Sequence, residues 1–268
     1  MKYCSINGQQ QTELAVTDRG LAYGDGLFTT AKIVNGQVVL LEKHIERLTH
    51  GCQHLKLQLP VNINLKAQLA TVVKGYSLAV LKVMITAGSG GRGYSRLGLS
   101  DNATNVIIMI SDFPSQYETL AQQGITLGDS KHQISSSSML GGIKHLNRLE
   151  QVLLRAELDE RSEDDLIVTN CQGHVIEVTS SNIFYWQNGQ LCTPEISTSG
   201  VDGIVRQAII AKKNDVKVCK IRLEDLKDAQ AMFICNSLMG IIPVKTYNNR
   251  QLTVDLVLKL QREMKGFI

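Results

Sequence analysis

Residues 165–187 read DLIVTNCQGHVIEVTSSNIFYWQ, three β-prone runs in close succession, each rich in Val, Ile or aromatic side chains. Cys171-Gln172-Gly173 punctuates the first junction, and Asn188-Gly189 follows the third run as a further turn signal. Local hairpins with helices interspersed predict an α+β fold and argue against the βαβ alternation of a doubly wound sheet. Upstream, Leu146, Leu149, Val152, Leu153 and Ala156 predict a helix. Downstream, Gly203 to Lys213 repeats the helical period, followed by a short helix at Leu223 to Asp228 and the strand AMFIC.

In the N-terminal part, Thr29 to Val34 and Gln37 to Leu40 flank Asn35-Gly36, a strong hairpin signal. Leu41, Ile45, Leu48, Cys52 and Leu55 then lay an apolar stripe along one helix, with His44, Arg47 and Gly51 beside it. Residues 80–87 (VLKVMITA) and 105–110 (NVIIMI) read as strands joined by a glycine-dense loop. The polar stretch from Pro114 to Gly124 reads as a connection, which divides the chain into two domains, 1–118 and 119–268.

The 268 residues are 43% hydrophobic and 20% charged, with a net charge of +3 and no extended basic block. That balance argues against nucleic acid or an anionic membrane as partner. Six cysteines lie scattered without a C-x-x-C pair, which predicts reduced thiols and no metal site. The opening MKYCSINGQQQ lacks an apolar signal segment, and no run approaches about 18 apolar residues, so a soluble cytoplasmic protein is expected.

Several constellations could carry chemistry. Gly88-Ser89-Gly90-Gly91-Arg92-Gly93-Tyr94-Ser95 formally contains G-x-G-x-x-G, yet no helix follows it, and Tyr94 stands where a Walker lysine belongs, so nucleotide binding is not expected. The loop is either a plain strand connection or an arm presenting Arg92 to an anionic group. In Gly141-Gly142-Ile143-Lys144-His145, Lys144 reads as lying just ahead of a helix, whose positive end would lower the lysine's pKa and make it a usable nucleophile. A plain surface lysine is the alternative. Strand alternation puts Val175, Glu177 and Thr179 on one face, so Glu177 needs a cation among apolar neighbours, or else it lies on a solvated face. Ser199 to Arg206 runs into a helix whose first N–H groups form an anion site, with Asp202 or Ser199 able to cap it. Asn236 and Ser237 add small polar donors after a strand, and Arg47 could supply a guanidinium. A phosphate site, a lysine and a ring-nitrogen partner are together what pyridoxal phosphate requires.

DRGLAYGDGLFTTAKI (18–33), GSGGRGYS (88–95), GIKHLNRLEQVL (142–153), GHVIEVTSSNIF (173–184), GVDGIVRQ (200–207) and ICNSLMGIIPV (234–244) carry a resemblance that runs nearly end to end. On these motifs the chain resembles the fold-type IV pyridoxal-phosphate enzymes. The resemblance implies two α+β domains like those of D-amino acid aminotransferase, with pyridoxal 5′-phosphate between them, in a homodimer. It makes Lys144 the Schiff-base lysine, carried on the second domain, and Glu177 the carboxylate facing the pyridine nitrogen. Arg47, the backbone N–H groups of Ile204 and Val205, and Asn236 with Ser237 would bind the phosphate. Thr29 would act in catalysis, and Arg92 and Tyr94 would bind substrate. Phe28-Thr29-Thr30 and Lys144-His145-Leu146-Asn147-Arg148 resemble the lyase branch, which implies conversion of 4-amino-4-deoxychorismate to p-aminobenzoate and pyruvate. The alternative is an aminotransferase of branched-chain or D-amino acids.

Overall fold

The computed structural model describes residues 1–59, 64–100 and 103–267. Its contacts divide the chain into two units, Met1–Pro114 with Lys144–Asn147, and Ser115–Ile143 with Arg148–Ile268. Lys144 thus groups with the first unit, which differs from the expected split at 118. The segment pairs by backbone hydrogen bonds with a strand of that unit.

The first unit contains β1 (Tyr3–Ile6), β2 (Gln9–Gln10), α1 (Arg19–Tyr23), β3 (Gly26–Val34), β4 (Gln37–Val38), α2 (Leu41–Leu55), α3 (Leu65–Val72), β5 (Leu78–Thr86) and β6 (Asn105–Ser111). Among the described residues its strands form an antiparallel sheet in the order β2-β1-β6-β5-β3-β4. Alternation along β3 turns Leu27, Thr29, Ala31 and Ile33 inward, where Leu27, Ala31 and Ile33 meet Leu48 and Cys52 of α2 and Leu69 of α3. Phe28, Thr30 and Lys32 occupy the half-buried face. Asn35 and Gly36 both have positive φ, as the expected tight hairpin requires. Its second strand stops at Val38 because Leu40 turns left-handed and α2 begins. The buried stripe of α2 centres on His44, Leu48, Gly51 and Cys52, with Leu41, Ile45 and Leu55 at its margins.

The second unit contains α4 (Gln116–Gln123), β7 (Ile125–Ile134), α5 (Leu149–Asp159), β8 (Asp165–Asn170), β9 (Val175–Val178), β10 (Asn182–Gln187), β11 (Gln190–Pro194), α6 (Ile204–Lys212), β12 (Lys217–Cys219), β13 (Ala231–Asn236), β14 (Gly240–Tyr247), β15 (Arg250–Gln251) and α7 (Asp255–Met264). Its mixed sheet runs β12-β11-β10-β13-β14-β7-β8-β9 among the described residues, with β15 paired to β14. The fold is α+β, as the hairpin pattern predicts. Two local expectations change. The stretch read as a connection contains α4, and the helix expected from Leu146 opens only at Leu149. Along α5 it is Leu154 and Leu158 that are buried, while Leu149, Val152 and Leu153 stay exposed.

Candidate active site

Lys144 lies outside any helix, and α5 opens only at Leu149, five residues on, so the lysine does not stand immediately ahead of a helix as the sequence suggests. Phe28 N–H donates to Lys144 O at 2.9 Å, and Leu146 N–H donates to Gly26 O at 2.9 Å. Leu27 faces His145 between these bonds, so the segment continues the sheet along β3. The Lys144 Nζ lies 4.7 Å from the Phe28 ring centroid, and the Lys82 Nζ of β5 lies 5.0 Å from the same centroid. Burial pushes the Lys82 amine below its usual range. Lys82 is not among the residues expected at the site, although it is the single charge in the apolar run VLKVMITA and pairs in register with Thr30.

Thr29 does not share that face. Expected in catalysis, it is buried on the core side of β3, where its Oγ1 and His44 Nδ1 share a hydrogen bond of 2.6 Å. Thr30, one residue on, shares the face of Phe28. Burial, reinforced by the Arg47 charge one helical turn away, lowers the His44 pKa to about 3. His44 Nε2 is buried with no hydrogen-bond partner among the described residues. Arg92 and Tyr94 are exposed on the glycine-dense loop. That loop turns carbonyl groups, and not N–H groups, toward a guanidinium, the reverse of a phosphate cradle.

In the second unit, Glu177 is 6% exposed, and its Oε2 accepts from Val201 N–H at 2.9 Å. The pairing of β8 with β9 shifts register between Val168 and Thr169. As a result Val175 and Val178 join one core cluster while Ile176 joins another. Glu177 falls on the side of Ile176, because a Cβ at Gly200 would meet both side chains. The expected sharing of a face by Val175 and Glu177 is therefore broken by a bulge. Buried Asp165 fixes the end of β9 by accepting from both Thr179 N–H and Thr179 Oγ1. Burial works against the charge of Arg148, and Glu177 and Glu150 sustain it. The Arg148 Nη2 donates to Ile143 O at 2.8 Å.

The start of α6 has no side-chain cap among the described residues. Asp202 instead accepts from Arg206 at 2.7 Å and Gln207 at 2.9 Å, and Ser199 donates to Ser135 O, so neither fills the capping role expected of it. Ile204 and Val205, buried at N1 and N2, thus present backbone N–H groups of the kind an anion uses. A Cβ at Gly203 would overlap Asn182 Oδ1, so only glycine permits this approach. Asn236, expected at the phosphate, has its side chain engaged within the chain. It donates to Ser181 Oγ and Ser180 O and accepts from Leu238 and Met239 N–H, which uses its full side-chain capacity and makes it a shaper of the turn carrying Ser237.

Residues 26–247 match the family described as amino-transferase class IV, and the chain belongs to that family. It is 34% identical to the aminodeoxychorismate lyase of Vibrio harveyi, over 97% of each chain. Among solved structures it superposes on the 4-amino-4-deoxychorismate lyase of Pseudomonas aeruginosa with a TM-score of 0.90, at 31% identity and over 98% of each chain. The branched-chain amino acid aminotransferase of Escherichia coli shares the fold, with a TM-score of 0.85 at 20% identity, over 98% of this chain and 93% of its own.

Proposed function

We infer that this chain is a lyase that converts 4-amino-4-deoxychorismate to pyruvate and p-aminobenzoate, a folate precursor, with pyridoxal 5′-phosphate as cofactor. The observation that carries the reading is the amine of Lys144, fixed through its backbone to β3 and set against the Phe28 ring. By residue type, and within each unit taken by itself, the donors suit the cofactor. In the first unit, Lys144 would take its aldehyde and Arg47 would pair with its phosphate. In the second, Glu177 would face its ring nitrogen, and Ile204 and Val205 N–H would receive the phosphate, with Ser237 beside them. Bound there, pyridoxal phosphate supplies a carbonyl that condenses with amines and a ring that withdraws electrons.

Lys144 Nζ would remove the proton from substrate ring C4, and the ether bond at the neighbouring carbon then breaks. The same amine would return a proton to the methylene carbon of the leaving enol, which gives pyruvate and leaves an aromatic ring. One group abstracts and donates, so it alternates charge within each turnover. Buried Glu177, fixed by Val201 N–H, would hold a positive charge at the ring nitrogen. Arg92 and Tyr94 would bind a substrate carboxylate, and Lys82 offers a second cation for a dicarboxylate. The reading takes the enzyme as a homodimer of the cytoplasm, where its six thiols stay reduced. The exposed Leu149, Val152 and Leu153 of α5 support association.

Two measurements test the assignment. Borohydride reduction of the holoenzyme should fix the cofactor on the peptide containing Lys144. Incubation with the chorismate-derived amine should then give pyruvate and p-aminobenzoate in equal amounts. Amine exchange between an amino acid and a 2-oxo acid, without pyruvate from the chorismate-derived amine, would instead identify an aminotransferase. Absence of any adduct would reject both.

A further inference from the structure

The glycine-dense loop is moulded on a guanidinium. Arg19 of α1 is 3% exposed. Its Nη1 donates to Gly93 O at 3.0 Å, Ser95 O at 3.3 Å and Gly90 O at 3.4 Å, and its Nη2 donates to Tyr94 O at 2.9 Å. Its Nε is paired with Asp25 Oδ2 at 2.8 Å, and its Cζ stands 5.0 Å from the Tyr23 ring centroid. Arg96 closes the cluster from the loop's far end, pairing with both oxygens of Asp25 and donating to Leu55 O at 2.6 Å. Burial opposes ionisation of Asp25, but the hydrogen bonds from Arg96 and Arg19 prevail and hold its carboxyl below the usual range.

The glycines serve this wrapping. Gly88, Gly90, Gly91 and Gly93 all have positive φ, and a Cβ at Gly91 would press on Ser95 O and approach Arg19 Nη1 to 3.1 Å. Buried Asp18 anchors the base of α1, accepting from Gly20 N–H and Thr86 Oγ1 at 2.7 Å and from Asn105 Nδ2 at 2.8 Å. Two of the three arginines here are thus locked into scaffold contacts. Arg92 is the exception, exposed and with no side-chain partner among the described residues. Tyr94 stands 88% exposed beside it, edge-on to Tyr23.

We propose that Arg19, backed by Asp25, is a positioning residue for substrate recognition. It draws the loop's carbonyls inward, fixes the backbone on both sides of Arg92, and so presents the Arg92 guanidinium in one orientation to a substrate carboxylate. This rests on the reading of Arg92 as a carboxylate binder. A preformed arm avoids the ordering entropy that a free glycine loop would lose on binding.

The test uses holoenzyme and the chorismate-derived dicarboxylate. Arg19→Lys keeps the charge but cannot reach four carbonyls at once. It should raise KM about tenfold, keep kcat within about threefold, and retain the borohydride-trapped adduct. Arg92→Ala should raise KM comparably. Arg19→Lys with Arg92→Ala should be no worse than Arg92→Ala alone, a non-additivity that general loosening of the fold does not produce. Should Arg19→Lys fold poorly, Gly91→Ala disturbs the same wrapping with Arg19 intact and should raise KM likewise. An unchanged KM in Arg19→Lys, or full additivity with Arg92→Ala, overturns the proposal. An unchanged KM in Arg92→Ala overturns it together with the assignment of Arg92 to substrate, while intact product formation keeps the lyase assignment.

Discussion

Glu177 shows how much one side chain depends on its surroundings. It is buried, and the N–H of Val201 and the cationic neighbour Arg148 are among the groups that favour a charged carboxylate there. Glu177→Gln keeps the shape and a hydrogen-bonding group but removes the charge. It should retain cofactor by absorbance and lose about a hundredfold in turnover, the size of losing one preorganised electrostatic partner. His44 makes a different prediction. Its pKa falls from 6.5 to about 3 on folding, so the unfolded chain binds more protons between those values, and stability falls as pH drops from 6.5 toward 3. The slope should reach about 1.4 kcal/mol per pH unit, and urea unfolding of His44→Gln across that range should show it reduced.

At the level of elements, what could be read from sequence was what local chemistry decides. Asn35-Gly36 declared its hairpin, and the spacing of Leu48 and Cys52 declared α2. Lys144 and Glu177 stood out as residue types in suggestive company, but their settings did not. The β9 bulge that turns Glu177 toward Ile176 arises in pairing with β8, which no single strand encodes. Sequence sets Lys144 against a helix, whereas its backbone pairs with β3, more than a hundred residues earlier in the chain. Thr29 and Thr30 are alike in sequence, and only the pleat sends one to His44 and the other to the face of Phe28. The side-chain bonds of Asn236 are equally hidden in sequence, because they depend on Ser180 and Ser181 of another segment. The start of α6 offers a test at this scale. Gly203→Ala would drive a methyl group against Asn182 and displace the first turn. Its Kd for pyridoxal phosphate should rise about tenfold in equilibrium titration, equivalent to about 1.4 kcal/mol.

For the whole molecule, the exposed apolar side chains of α5 are where the proposed association can be tested. Leu149 is 70% exposed, with Val152 and Leu153 beside it on a helix whose buried residues are Leu154 and Leu158. If two copies meet there, Leu153→Glu would bury a carboxylate without a partner and should shift sedimentation from dimer toward monomer. An unchanged sedimentation coefficient would move the contact elsewhere.

The four residues from Lys144 to Asn147 belong by contact to a unit whose main stretch ends thirty positions earlier, at Pro114. A gene divided at that junction would therefore not yield two self-sufficient halves. The leading fragment would carry β3 with Gly26 and Phe28 stripped of their backbone partners, an open margin that invites self-association. The trailing fragment would keep the Lys144 amine without the strand that holds its backbone, so evolution by exchange of halves is closed to this architecture unless the loop travels with the sheet it completes.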